Sequence, residues 1–146
     1  ALVLSRQNLP QLEGSSKDAL KGGYIVFNGA KEVPDGILMA SGSEVSLAVD
    51  AAKALAEEGI SVNVVSVPCM ELFDMQSDEY KESVLPKAVK KRLAIEAANA
   101  DVWYKYVGID GTTVSMTSFG ASAPGNLLFE KFGFTVDNVV KAYKGL

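Results

Sequence analysis

The chain contains no histidine, and this absence excludes more chemistry than any other feature of its composition. Histidine is the commonest general base near neutral pH and the commonest metal ligand in proteins. Catalysis by Ser-His-Asp or Cys-His groups within this chain is therefore excluded. A metal site would have to use carboxylates or the single cysteine, Cys69. These absences weigh against a self-contained enzyme, and we predict no catalytic residue and no metal ligand in the chain.

Three further shortages narrow the class of protein. One cysteine allows no disulfide framework, which fits a reducing compartment and predicts a cytoplasmic location. No apolar run approaches the ~20 residues of a membrane-spanning helix, so we expect no membrane association. The net charge of -4 provides no basic surface for nucleic acid. With 146 residues, 48% of them hydrophobic, the chain suits one globular domain with a sizeable core.

Five short apolar segments, bounded by turn residues, predict strands at 24–27, 37–41, 60–67, 92–96 and 112–116. Between the second and the third, apolar residues recur at helical spacing, with Ser43 as the expected N-cap, Glu44 in the first turn and Gly59 as the stop signal. Strand, helix and strand with short joints form a βαβ unit with a right-handed crossover. The pattern therefore predicts an α/β fold.

The expected architecture is a three-layer α/β/α fold with a mixed five-stranded sheet. Four strands should be parallel, with strand 24–27 antiparallel at an edge. The connector 28–36 is too short for a crossover helix. If strands 24–27 and 37–41 are adjacent, they should therefore pair antiparallel.

Two loops rich in serine and glycine fall at the carboxyl ends of strands, where ligands of parallel sheets bind. Gly42 and Ser43 precede the predicted helix, and Ser118 and Gly120 follow the fifth strand. Exposed N–H groups at a helix N-terminus can bind an anion, so these four residues are a candidate site for a small anionic or nucleotide regulator. The alternative is an ordinary helix cap. The loops lack the P-loop lysine and the triple glycine of a dinucleotide site, which favours the cap.

Other chemically notable residues each have a structural alternative. Glu96, at a strand end, could act as an acid or base or dock onto another domain; alternatively, it accepts bonds from nearby backbone N–H groups. Cys69 is close to Glu71, which favours a structural thiol over a nucleophile. The basic run 87–92 reads as a solvated face, and the aromatic segment 102–106 reads as core or interface packing.

Arg6 ends a short apolar run, and its rigid guanidinium fork suits a phosphate or a carboxylate. It lies within the first of five segments, "LSRQNLPQLEGSS", "KGGYIV", "ASGSEVSLAVDAAKAL", "ESVLPKAV" and "FGASAP…LFEKFGFTVDNVV". In this order and spacing the five segments resemble the C-terminal domain of transketolase over nearly the whole chain.

The resemblance implies a longer parent enzyme that moves a two-carbon ketol unit between sugar phosphates in the pentose phosphate pathway. Such enzymes use thiamine diphosphate and a divalent cation, Mg²⁺ or Ca²⁺. The expected partners are the other transketolase domains, a homodimer partner and the parent's sugar phosphate substrates. Arg6 matches a family arginine that contacts the substrate's phosphate. The thiamine diphosphate motif, Gly-Asp-Gly followed by paired Asn, is absent, so no cofactor is expected in this part.

The resemblance also divides the chain. Residues 1–8 are expected to be a remnant strand of a preceding, pyrimidine-binding domain, 9–23 a linker, and 24–146 the transketolase C-terminal domain. The absence of a starting methionine fits this division. The isolated domain is expected to be non-catalytic, with a structural, interdomain or regulatory role.

Overall fold

Five short strands form one mixed sheet in the computed structural model, which describes residues 1, 3, 4 and 7–146. The strands are β1 (Tyr24–Phe27), β2 (Gly36–Ala40), β3 (Val62–Ser66), β4 (Arg92–Glu96) and β5 (Thr112–Ser115). The α-helices are α1 (Glu44–Glu57), α2 (Met70–Asp74), α3 (Asp78–Val84), α4 (Tyr104–Val107), α5 (Gly125–Lys131) and α6 (Val136–Lys144). Two 3-10 helices cover Lys17–Lys21 and Asp101–Trp103. The predicted α/β fold with one antiparallel strand is confirmed.

The strand order is β1-β3-β2-β4-β5, with β1 at one edge and antiparallel to its neighbour. The other pairs are parallel. The antiparallel pairing of β1 with β2, which was expected only if these strands were adjacent, does not occur, because β3 lies between them. The loop 28–35 crosses the start of β3, where the Lys31 N–H donates to Ser61 Oγ and the Asp35 N–H donates to the Ser61 carbonyl oxygen. This crossing delivers the chain to the far side of β3.

Helices cover both faces of the sheet, as a three-layer fold requires. Alternate side chains of β2 point to opposite faces. Leu38 and Ala40 belong to one buried cluster, which includes residues of α1 and α6. Ile37 and Met39 belong to a second cluster, which includes residues of α2, α3 and α4. All five residues of β2 are buried, in keeping with its central place in a sheet covered on both sides.

Helix α1 connects β2 to β3 and ends at a left-handed glycine. Gly59 has φ +79°, a conformation that residues with a Cβ rarely adopt. The Gly59 N–H donates to the Ala56 carbonyl oxygen and the Ile60 N–H to the Leu55 carbonyl oxygen, which is the Schellman arrangement of a helix C-terminus. The predicted stop signal is therefore the observed one. The turn at Gly59 leads the chain into β3.

The residues before β1 only partly behave as a linker. Leu12 and Ala19 pack against the core that faces α1, and residues 17–21 form a 3-10 helix whose N-cap, Ser16, accepts from the Asp18 N–H. None of residues 1, 3, 4, 7 and 8 lies in a strand, and Val3 is 96% exposed. Leu2, the remaining apolar member of the expected remnant strand, lies outside the described residues. The division into 1–8, 9–23 and 24–146 stays a prediction.

Two kinds of feature are missing from the part of the chain that the structure describes. No helix there has the length and hydropathy to cross a membrane. No group of three or more Cys, Asp or Glu side chains there could hold a metal ion.

Candidate functional site

The carboxyl ends of β2, β4 and β5 meet at one edge of the sheet and form two adjoining clefts. A cleft of about 450 Å³ is lined by residues 97–99 and 116–120. A second, of about 330 Å³, lies between the start of α1 and helix α5 and is lined by Ser43, Glu44, Gly120 and Phe129, among others. The predicted anion-site residues are thus only partly brought together. Ser43 and Gly120 share the second cleft, Ser118 and Gly120 share the first, and Gly42 lines a separate groove with Ser43.

A buried carboxylate, Glu44, lies at this edge in the first turn of α1. The residue is only 5% exposed. Its Oε1 accepts from the Ala97 N–H at 3.3 Å, and its Oε2 accepts from the Ser43 hydroxyl at 3.0 Å. Burial raises the pKa of the Glu44 carboxyl; hydrogen bonds from the backbone and Ser43 oppose the rise, and the negative charge of Glu96 adds to it. Glu44 therefore ties the start of α1 to the end of β4.

Glu96 is the second carboxylate at this edge. Its Oε2 accepts from the Trp103 indole N–H at 2.9 Å and from the Ser41 hydroxyl at 3.4 Å. The Trp103 ring is fully buried. Its one N–H group therefore needs a partner inside the protein, and Glu96 is that partner. The sequence alternatives for Glu96 included hydrogen bonds from backbone N–H groups. The structure instead gives Glu96 two side-chain donors, and it is Glu44 that accepts from the backbone.

Ser43 occupies the position before α1, but its side chain makes no capping hydrogen bond. Its backbone is already helical, with φ −66° and ψ −27°, whereas a capping residue is usually extended. The hydroxyl donates to Glu44 instead. The expectation that the Ser43 side chain caps the helix is therefore wrong, because the helical backbone of Ser43 does not present its oxygen to the N–H groups of the first turn.

The charge of this edge does not favour an anionic ligand. Glu44 and Glu96 lie close enough that the negative charge of Glu96 raises the pKa of the Glu44 carboxyl. Like charges repel, and more strongly where solvent is excluded. Two carboxylates beside the loops would oppose the attraction of the α1 N-terminus for an anion. Assignment of Gly42, Ser43, Ser118 and Gly120 to an anion site stays a prediction that this charge weakens.

Comparison with known proteins places this arrangement in a family. The family described as "Transketolase-like TK C-terminal domain" matches residues 22–135. The chain is 55% identical to a transketolase of Streptococcus pyogenes serotype M6 over 148 aligned residues, which cover 99% of this chain and 20% of that protein. The chain belongs to the transketolase C-terminal domain family.

Solved structures agree with this placement. A transketolase from Leishmania mexicana superimposes with a TM-score of 0.88 at 46% identity, covering 97% of this chain and 20% of that one. A Pichia stipitis transketolase, in complex with sedoheptulose-7-phosphate, superimposes with a TM-score of 0.85 at 46% identity, covering 95% and 20%. This transketolase C-terminal domain therefore spans about a fifth of the length of these relatives.

Each of the other candidate residues of the transketolase C-terminal domain either lies outside the described residues or lines neither of the two clefts. Arg6, the predicted phosphate ligand, lies outside the described residues, and its role stays a prediction. The Cys69 thiol donates to the Glu71 carboxylate at 3.5 Å, and the residue is half-buried. Within the aromatic segment, Trp103 and Tyr106 are buried in the core that faces α2. Tyr104 is 59% exposed.

The basic run 87–92 is only partly the solvated face that its composition predicts. Lys87, Lys90 and Lys91 are exposed, whereas Arg92 is half-buried. The Arg92 guanidinium donates to four backbone carbonyl oxygens, those of Leu85, Pro86, Val89 and Tyr106. The solvated-face interpretation is wrong for Arg92. Within the run only Arg92 falls in the predicted strand 92–96, but its contacts carry no sequence signal, because three of its four acceptors lie outside the run.

We predict that Glu44 makes the domain's stability depend on pH. Folding raises the pKa of this carboxyl above its ordinary value of 4.5, so between the two pKa values the folded state binds more protons than the unfolded state. Its contribution to the free energy of unfolding is therefore fully present below the unfolded pKa and is lost as pH rises through the folded pKa. The stability of Glu44→Gln relative to wild type should accordingly increase from acidic to near-neutral pH.

Urea unfolding followed by circular dichroism, once at acidic and once at near-neutral pH, measures this difference in stability between Glu44→Gln and wild type. Glu57→Gln, on the exposed last turn of α1, controls for the loss of one negative charge. A stability difference between Glu44→Gln and wild type that stays constant with pH would contradict the prediction.

Proposed function

We propose that this chain is the C-terminal part of a longer transketolase that transfers a two-carbon ketol unit between sugar phosphates. The proposal rests on the family match over 22–135. It also rests on a relative named a transketolase, of whose length the match covers 20%. The sedoheptulose-7-phosphate bound by the Pichia stipitis relative supports sugar phosphates as the parent's substrates. The parent would act in the cytoplasm, in the pentose phosphate pathway, as a homodimer.

The domain itself is proposed to be non-catalytic. The chain has no histidine, and the two carboxylates at the carboxyl edge of the sheet accept hydrogen bonds from Ser41, Ser43, Ala97 and Trp103. Both carboxylates therefore serve to hold loops together at this edge. Glu44 is in addition almost fully buried.

Thiamine diphosphate and its divalent cation do not fit the clefts formed by the described residues. A diphosphate needs cationic or N–H donors, whereas Glu44 lines the second cleft and Glu96 lies at the same edge of the sheet. In the described part of the chain no carboxylate cluster could hold the cation. We therefore place both groups in the remainder of the parent protein.

Contact with the other transketolase domains is the role that the surface supports best. Phe119, in the loop after β5, is 99% exposed, and Val102 and Tyr104 are 53% and 59% exposed. Large apolar side chains left in solvent are typical of surfaces that pack against another protein or domain. Arg6 is proposed to contact the substrate's phosphate from within such an assembly.

The proposal is tested by assaying the purified 146-residue chain for ketol transfer from xylulose 5-phosphate to ribose 5-phosphate, with thiamine diphosphate and Mg²⁺ present. We expect no turnover above the rate without protein, because the clefts of the described residues offer no fitting site for the cofactor. A full-length transketolase in the same buffer is the positive control. Turnover that scales with the concentration of the purified chain would refute the non-catalytic assignment.

A further inference from the structure

The loop after β1 begins with Asn28 followed by Gly29. In such a pair the main-chain nitrogen of the glycine can attack the side-chain carbonyl carbon of the asparagine, because glycine has no side chain to hinder the approach. Asparagine is for this reason counted among the thermolabile residues. Asn28 is exposed to solvent, so water has access to the reacting carbonyl group.

The structure holds the attacking nitrogen in a hydrogen bond. The Gly29 N–H donates to Oδ1 of Asn63, on β3, at 2.8 Å, a good length for this type of bond. The reaction needs this nitrogen to lose its proton and to turn toward the Asn28 side chain. While the bond to Asn63 persists, the nitrogen keeps its proton and points at β3.

Close packing restricts the same glycine. A Cβ built on Gly29 would lie 2.3 Å from Ser61 Oγ and 2.9 Å from the Val62 carbonyl oxygen, so the backbone lies directly against the start of β3. The next anchor, from the Lys31 N–H to Ser61 Oγ, has a length of 3.0 Å. The main chain therefore cannot rotate at Gly29 without releasing the loop from β3.

We propose that Asn28–Gly29 is a latent deamidation site that Asn63 keeps unreactive in the folded domain. On reaction, the Gly29 nitrogen forms a bond to Asn28 Cγ as its proton passes to water, and the side-chain nitrogen leaves as ammonia. Water then opens the five-membered succinimide at either carbonyl carbon, giving aspartate or isoaspartate at position 28. The net change is one water consumed and one ammonia released.

The product would alter the edge of the sheet. Isoaspartate adds a methylene group to the main chain immediately after Phe27, which is paired with Val64 of β3. Either product also adds a negative charge to a loop that contains the Lys31–Asp35 ion pair. Deamidation here would therefore weaken the pairing of β1 with β3.

Two variants at one position test the role of Asn63. Asn63→Ala removes the acceptor, whereas Asn63→Asp keeps an oxygen at the same place and serves as the matched control. After incubation of the 146-residue chain at mildly alkaline pH, mass spectrometry of the peptide that contains position 28 measures deamidation. We expect Asn63→Ala to react roughly tenfold faster than wild type, as the loss of one hydrogen bond implies, and Asn63→Asp to react at about the wild-type rate. Equal rates for Asn63→Ala and wild type would overturn the proposal.

A second measurement does not depend on how well the variants fold. The wild-type chain is incubated in parallel in buffer and in a concentration of urea that unfolds it. The proposal requires fast deamidation at position 28 in urea and slow deamidation in buffer. Equal rates in the two states, or no deamidation in urea, would also overturn it.

Discussion

Replacing Trp103 by alanine is expected to remove a large part of the stability of this transketolase C-terminal domain. The ring is fully buried in the core that faces α2 and packs edge-on against Tyr106, with ring centroids 6.2 Å apart. Truncation of a buried tryptophan costs about 3–5 kcal/mol, out of a total of about 5–15 kcal/mol for a typical domain. The melting temperature should fall by about 10 °C.

Truncation at Trp103 also removes the indole N–H from Glu96, which leaves the Ser41 hydroxyl as the side-chain donor to this carboxylate in the described structure. Trp103→Phe separates the two effects, because it keeps an aromatic ring and loses the N–H. We expect its cost to be about half that of Trp103→Ala. Trp103 is the chain's one tryptophan, so unfolding is followed by far-ultraviolet circular dichroism. A loss below about 1 kcal/mol for Trp103→Ala would contradict its place in the core.

The strand positions could be predicted because their signal is local. Strands 24–27 and 92–96 were expected at those bounds and are observed as Tyr24–Phe27 and Arg92–Glu96. The first is wholly apolar, and the second has three apolar residues, Leu93 to Ile95, between two charged ones. The position of β3 between β1 and β2 could not be predicted in the same way. It depends on the loop 28–35 binding Ser61 and Asn63, side chains that are distant in sequence and carry no pairing signal of their own.

The location of the site at the carboxyl edge could be predicted from the sequence, but its negative charge could not. The loops that contain Gly42 and Ser118 do lie at strand ends, as their composition indicates. The burial of Glu44 depends on Ala97, which follows a strand 53 positions away. Helix-dipole reasoning placed Glu44 correctly in the first turn of α1, but nothing within that turn showed that the carboxylate would face the protein interior.

Replacing Arg92 is the second change with a large expected effect. Its guanidinium Nε, Nη1 and Nη2 donate to the carbonyl oxygens of Val89, Tyr106, Leu85 and Pro86 at 2.8 to 3.1 Å. These carbonyls belong to the ends of α3 and α4 and the turn between α3 and β4, so one side chain joins three segments. Hydrogen bonds from a charged donor are worth about 1.5–3 kcal/mol each, but Arg92 is only half-buried. We expect Arg92→Ala to cost about 2–4 kcal/mol in total, once solvent access to the freed carbonyls is allowed for.

The chemistry of Arg92 predicts how its variants should rank. Burial lowers the pKa of the guanidinium, but arginine starts so high that it stays charged. Lysine has the same charge and a single nitrogen, which cannot reach acceptors that the planar fork meets in several directions. Arg92→Lys should therefore lose most of the stability that Arg92→Ala loses, whereas Lys90→Ala, at an exposed position in the same run, should change the free energy of unfolding by less than about 0.5 kcal/mol. Full retention of stability by Arg92→Lys in urea unfolding would show that charge, and not the geometry of the four hydrogen bonds, joins these segments.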